Sequence, residues 1–444
     1  MNKILLLNLP VFSARKQSSN TLAQTYNPPL GLLYIGTVLE LNGYKPVIMD
    51  LCANIANLSA VFKTISEDKP LLVAISTYTE NIDSAVNIAK AIKTKFKDIK
   101  IVFGGPHSSL EPEYGIRSRY VDFIVMKEGE ATFIELVQAI ESNQEIIRFE
   151  DIPGIIYKQP DKVVKNGYRK DITDLDLLPI VKRELMEISS YGRIINIITS
   201  RGCPGNCIYC AATALSGAKY RVRDTVNTLL EVILILNTFK NTRKVVYFID
   251  DTFTGIPSRV ADFIALKKRY DLDFRWRCES RVDVMTGELI RNMAQNQCIG
   301  VVYGIESGSQ QVLDTIRKNI NLVSAEEIID ESCKTGIHVC LNFMLGHYCD
   351  TRETMEMTLE FIKRMFEKHR MDAMLTYNTP FPGTWQYQHR DRLGLNLISE
   401  NYCDFTVLTP SVETANFTRM DQVDMYMKAT PYILSNDFGI DTEE

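Results

Sequence analysis

Three cysteines stand together in one short loop, Ser200-Arg201-Gly202-Cys203-Pro204-Gly205-Asn206-Cys207-Ile208-Tyr209-Cys210. Thiolates spaced C-x3-C-x2-C on a Gly/Pro turn can wrap one small cluster of a soft metal. A closed zinc site takes four ligands, and an electron-transfer [4Fe-4S] site takes four cysteines. No fourth cysteine stands nearby, since the neighbours on either side are Cys52 and Cys278. Three ligands leave one metal position open to a substrate or cofactor. Three merely structural cysteines would not need a polar glycine loop at this density.

The run Ile194 to Thr199 reads as the strand that delivers this loop, and Val245 to Asp250 as another strand, ending in Asp250-Asp251-Thr252-Phe253. Such an Asp pair suits a ligand contact or a helix cap. Upstream, short apolar strand candidates recur at Ile4 to Leu9, Pro46 to Leu51, Leu71 to Thr77, Ile101 to Gly105 and Asp122 to Lys127. Helix-length segments lie between them: Leu30 to Leu41 ends at Asn42-Gly43, and Asp83 to Phe96 puts Ala85, Ile88, Ala89 and Ile92 on one face. Strands alternating with helices predict a doubly wound, Rossmann-like α/β domain with a parallel sheet. Its ligand belongs beyond the carboxyl ends of the strands. Those ends carry Ser76 and Thr77, then Gly104-Gly105-Pro106-His107, then Glu128-Gly129-Glu130. The glycines let a backbone approach closely, or simply make a tight turn. Asn8-Leu9-Pro10 follows the first strand in place of G-x-G-x-x-G, which argues against a nicotinamide dinucleotide.

The 444 residues are 45 % hydrophobic and 24 % charged, an ordinary globular composition without visible repeats. Two or three domains fit this length, and a peptide hormone or disulfide scaffold is excluded. Fifty basic residues against 55 acidic give a net charge of −5, which disfavours a nucleic-acid partner. The N-terminal apolar run is short and broken by Asn8 and Pro10. It reads as neither an export signal nor a membrane span, so a cytoplasmic location with reduced thiols is expected. The expected division is a first domain at 1–150, a hairpin and linker at 151–185, a second domain at 186–390 and a capping region at 391–444. The hairpin rests on Ile152 to Lys158 and Val163 to Tyr168.

The cysteine loop, including the aromatic Tyr209, resembles the signature of the radical S-adenosylmethionine (SAM) superfamily. That resemblance implies a [4Fe-4S] cluster on Cys203, Cys207 and Cys210, with SAM chelated at the open iron. One electron, from a flavodoxin- or ferredoxin-type donor, then cleaves SAM to a 5'-deoxyadenosyl radical. The resemblance continues to about residue 390, implying a partial (β/α)6 barrel. Phe274 to Arg281, Val301 to Glu306, His338 to Leu345 and Thr376 to Thr384 are similar to its third to sixth strands. SAM contacts are implied for Tyr209, Asp250, Asp251, Arg281, Glu306, Ser307 and Arg317. Arg281 has a plainer reading as the partner of Glu279. Gly346-His347-Tyr348-Cys349-Asp350 departs from the Gly-hydrophobic-Pro-Gly-Glu turn usual after the fifth strand. Its three central side chains face substrate, the second cofactor or merely solvent.

With Asn27-Pro28-Pro29-Leu30-Gly31 and the glycine-bearing strand ends, the whole chain resembles the cobalamin-binding radical SAM class. Cobalamin contacts are then implied for Ser76, Thr77, Gly104, Gly105, His107, Glu128 and Gly129. Pro10 to Asn20 holds neither Asp nor His, so no axial histidine is expected from that loop. The class implies methylation of an unactivated carbon or phosphorus of a small molecule: one SAM methylates cobalamin, a second gives the 5'-deoxyadenosyl radical that abstracts hydrogen from the substrate, and the substrate radical takes the methyl group from methylcobalamin. A cyclase, oxidoreductase or ring-rearranging enzyme of the same architecture, a tRNA methylthiolating enzyme and a non-catalytic cobalamin or Fe-S sensor are the competing readings. The tRNA reading lacks extra-cluster cysteines and a basic tail, and the open cysteine triad argues against the sensor.

Overall fold

The computed structural model describes residues 2–11, 27–52, 57–187, 191, 194–238 and 245–433. Most of the Pro10 to Asn20 loop lies outside them. Two compact units result: Met1–Arg193 with Ala214–Ser216 and Asn401–Cys403, and Ile194–Thr213 with Gly217–Glu400 and Asp404–Glu444.

The first unit is built on a seven-stranded sheet in the order β2-β1-β3-β4-β5-β6-β7. Its strands are β1 (Lys3–Asn8), β2 (Lys45–Asp50), β3 (Leu72–Ser76), β4 (Lys100–Gly104), β5 (Phe123–Val125), β6 (Ile155–Gln159) and β7 (Lys162–Lys165). The first five are parallel. Strand periodicity explains why both faces are apolar: Leu5 and Leu7 of β1 join one core with Ile75 and Phe103, while Ile4 and Leu6 join another with Leu72 and Val102. Helices Leu30–Leu41, Leu58–Asp68, Ile82–Lys95 and Glu130–Glu141 connect the strands.

The expected hairpin forms, but as part of this sheet: β6 pairs antiparallel with β5, and β7 with β6. Ile155 and Ile156 are fully buried, so pairing at the β5 edge hides apolar side chains that a free linker would leave in water. The chain beyond remains on the same unit, where Lys182 pairs with Glu40 and Tyr191 donates to Asp50 at 2.6 Å.

The second unit holds a six-stranded sheet in the order β15-β14-β13-β12-β11-β8. Its members are β8 (Ile194–Ile197), β11 (Val245–Phe248), β12 (Trp276–Ser280), β13 (Cys298–Glu306), β14 (His338–Leu345) and β15 (Asp372–Tyr377), with the short β9 (Ser200–Arg201) and β10 (Arg221–Val222) pairing separately. All neighbours in the six-stranded sheet are parallel and sequential, the arrangement of an incomplete β/α barrel. The sixth strand lies earlier than Thr376 to Thr384, whose Pro-Phe-Pro-Gly-Thr portion forms the following turn, because proline cannot donate to the ladder. Phe248, Phe253, Phe263 and Trp276 interlock in the core, with the indole N–H donating to the Asn296 carbonyl at 2.8 Å. No helix among the described residues is long and apolar enough to cross a membrane.

Candidate functional site

The cysteine loop leaves β9 at the carboxyl end of β8, where barrel chemistry is placed. Gly202 makes the exit possible. Its φ is +84°, and an added Cβ would stand 2.4 Å from the Lys219 carbonyl oxygen. Gly202→Ala is expected to destabilise the fold by roughly 2–3 kcal/mol and lower iron retention, as followed by urea unfolding and iron analysis. An unchanged unfolding midpoint would contradict this close approach.

The three thiols are unbridged and half-buried. The Gly205 N–H points at the Cys203 sulfur and the Ala212 N–H at the Cys210 sulfur, both at 3.4 Å, while Arg281 Nη1 lies 4.0 Å from Cys207. Donors aimed at sulfur stabilise thiolates, so the loop fits a cluster held through three cysteines. Burial nevertheless dominates the thiols themselves: it raises Cys203 against the Gly205 N–H and the Arg281 charge, and pushes Cys210 up to about 12 against the Ala212 N–H. Among the described residues no three His, Cys, Asp or Glu converge on a single metal ion. A polynuclear cluster makes a different demand, since its thiolates bind separate irons.

Ile208 anchors the loop on both sides. Its N–H donates to Ile316 at 3.2 Å, and its carbonyl accepts from the Gln386 N–H at 3.0 Å. The Tyr209 phenol is raised well above the ordinary value by burial and by the charges of Glu306 and Cys207.

The Asp pair divides its work. Asp250 is 1 % exposed and accepts from Thr199 N at 2.8 Å, Thr199 Oγ1 at 3.0 Å and Ser200 Oγ at 2.5 Å. It ties β11 to the entry of the cysteine loop. Asp251 is exposed and bears electrostatically on Cys203 and Cys210. Arg281 is held bidentately by Asp283, at 2.9 Å for both bonds, and by the Lys318 carbonyl at 2.8 Å. Glu279 instead meets Tyr247.

A register shift between Gly304 and Glu306 marks a bulge at the end of β13, and Glu306 sits at φ +73°. Bulges commonly re-aim side chains beside sites. Here the carboxylate meets buried Lys318 at 2.8 Å, in space that a Cβ on Gly304 would fill. Lys318 is the functional candidate that motif reading passed over. Ser307 is 1 % exposed and is engaged by the Thr358 hydroxyl and the Ser309 N–H, bonds that organise the turn. Arg317 is exposed, with its guanidinium over the Trp385 ring.

The departing turn is sharply divided. His347 is 1 % exposed and packs on the Tyr209 ring, whereas Tyr348 and Cys349 are half-buried. Asp350 accepts from the N–H groups of Gly346 and His347 at 3.1 and 2.8 Å. Burial, opposed by bonds from Thr354 and these N–H groups, raises its carboxyl from 3.8 to about 6. Between those values the folded state binds more protons than the unfolded state, so stability falls as pH rises through that window. Asp350→Asn should lack the slope, gaining about 2.4 kcal/mol on wild type between pH 4 and 7. Urea midpoints at the two pH values check this, and parallel changes in both proteins would contradict it.

In the first unit, the Thr77 hydroxyl bonds the Gly104 carbonyl at 2.9 Å and Ser108 at 2.7 Å. Gly105 lies at φ +94°, and a Cβ there would be 2.9 Å from the Thr77 oxygen. Ser76, Thr77, Gly104 and Gly105 thus share one strand-end cluster. Gly129 precedes helix Glu130–Glu141, and Glu128 accepts from Ile172 N at 2.8 Å, which gives it a structural duty. His107 is also turned inward. It is fully buried, contacts Thr79, Tyr114 and Tyr402, and is lowered by burial to about 4.

Residues 21–137 match the B12 binding domain family and residues 197–362 the Radical SAM superfamily. An uncharacterized methyltransferase of Pyrococcus horikoshii is 32 % identical over 423 residues, spanning 94 % of this chain and 89 % of that protein. The structure of the cobalamin-dependent SAM radical enzyme OxsB, with aqua-cobalamin and SAM bound, aligns with a TM-score of 0.78 at 17 % identity, over 96 % of this chain and 66 % of that one. The radical SAM methyltransferase TsrM of Kitasatospora setae, bound to tryptophan and a SAM analogue, aligns at 0.73 and 16 % identity, over 92 % of this chain and 80 % of that one. Since both domain families are matched in order and a relative is shared along nearly the full length, the chain belongs to the radical SAM enzymes that carry an N-terminal B12 binding domain.

Proposed function

We propose that this enzyme is a cobalamin-dependent radical SAM methyltransferase acting on an unactivated carbon, or phosphorus, of a small molecule. The observation that carries this reading is the presence, in one chain, of a three-thiol loop with an open ligand position and a doubly wound sheet with glycine-lined strand ends. When bound, the cluster and SAM supply one-electron radical chemistry, and cobalamin supplies a transferable methyl group. Cys203, Cys207 and Cys210 hold the cluster, while Arg281 and the N–H groups of Gly205 and Ala212 favour charged sulfur. Asp251 is the free carboxylate for a SAM ammonium group, since Asp250 is committed to Thr199 and Ser200. Glu306 and Lys318 offer a buried pair of opposite charge beside Tyr209. In the first unit Ser76, Gly104, Gly105 and Gly129 are the strand-end positions open to cobalamin. A flavodoxin- or ferredoxin-type donor delivers the electron, and the enzyme works in the reducing cytoplasm, where three unbridged thiols persist.

The experiment is anaerobic purification with hydroxocobalamin supplied, followed by iron, sulfide and cobalamin analysis. About four irons and about one cobalamin per chain are expected. With reductant and acceptor, S-adenosylhomocysteine should form alongside 5'-deoxyadenosine. Absence of cobalamin, or deoxyadenosine without homocysteine product, would overturn methyl transfer.

A further inference from the structure

The least explained buried group in the barrel is the imidazole of His347, on the turn after β14. It is 1 % exposed, and neither ring nitrogen has a hydrogen-bond partner among the described residues. Leaving a buried polar group unpaired costs about 1–3 kcal/mol, which an apolar side chain of similar size avoids. The position is nevertheless held firmly. Asp350 accepts from the His347 N–H at 2.8 Å, and the Asn378 amide donates to the Gly346 carbonyl at 3.0 Å. Asn378 in turn pairs with the Gln386 side chain at 2.8 Å, and the Gln386 N–H bonds Ile208 of the cysteine loop. Asn378 and Gln386 are themselves fully or nearly fully buried. A polar relay thus fixes the turn relative to the cysteines. The imidazole packs against Tyr209, with ring centroids 5.3 Å apart, and the charges of Glu306 and Lys318 bear on it.

We propose that His347 is a SAM-binding residue, whose unpartnered nitrogens supply a hydrogen bond to SAM seated at the cysteine loop. A neutral imidazole offers one donor and one acceptor, which suits the neutral polar edge of a nucleoside. The Tyr209 ring supplies an apolar surface beside it.

This inference rests on the barrel being a SAM site, and the experiment separates the two. SAM binding is measured by equilibrium dialysis on the anaerobic, cluster-loaded full-length protein without reductant, so that no turnover occurs. Wild type, His347→Gln and His347→Met are compared, with iron measured on the same samples. His347→Met should bind SAM about tenfold more weakly, while His347→Gln, which keeps a donor and an acceptor, stays within about threefold of wild type. Should the Met variant not hold iron, His347→Asn against His347→Leu gives the same comparison. Equal affinity in all proteins, or equal weakening by polar and apolar replacements, overturns the contact. Failure of iron-loaded wild type to bind SAM overturns the SAM-site reading itself.

Discussion

Cys207→Ala leaves a protein without its brown chromophore near ~400 nm, with iron reduced to a small fraction of wild type and SAM cleavage lowered by at least about a thousandfold. The size follows from chemistry rather than folding. Two thiolates cannot hold the irons that three cysteines share, and the radical step belongs to the cofactor. Cys207 also lies 4.0 Å from Arg281, so its removal strips the loop of that orienting contact. Cys403 is exposed and provides the control: Cys403→Ala retains iron and cleavage. Full iron content in Cys207→Ala would refute the site.

Asp250→Ala unfolds at markedly lower denaturant, losing roughly 3–5 kcal/mol. Thr199 N, Thr199 Oγ1 and Ser200 Oγ all lose their acceptor where no water replaces it. Against a total stability of about 5–15 kcal/mol, this is a large fraction. Iron retention falls as well, because these residues lead directly into Cys203. Asp250→Asn keeps an acceptor oxygen and loses less. The decisive contrast is with SAM affinity: unchanged unfolding combined with lost SAM binding would make Asp250 a ligand contact and not a tie between strand ends.

These two residues also mark what was legible in the sequence. The cysteine triad needed only spacing, because three ligands in one turn must meet. The strands of both sheets were found nearly in place, since parallel buried strands are continuous apolar runs. Asp250 and Asp251 were not separable, because register at the end of β11 decides which one turns toward Thr199. Ser307 was equally opaque, as its partner Thr358 lies on a helix far along the chain. Glu306 was identified by motif, but the bulge that brings it to Lys318 has no local signature. The hairpin was recognised without its destination, because alternating residues reveal a strand and not the edge it extends. His347 stood out only as a departure from a pattern. Its burial depends on Tyr209 and on the turn being held by Asn378.

The two bonds at Ile208 also impose an order of events during synthesis. The cysteines emerge from the ribosome early, but the Gln386 N–H that holds their loop belongs to the turn after the last barrel strand. Until that turn is made, the nascent loop has one of its two anchors missing, and its sulfurs have no fixed spacing. Chains fold as their segments appear, and distant pairings close last. A chain terminated before that turn therefore carries the full cysteine motif without the second anchor of its loop.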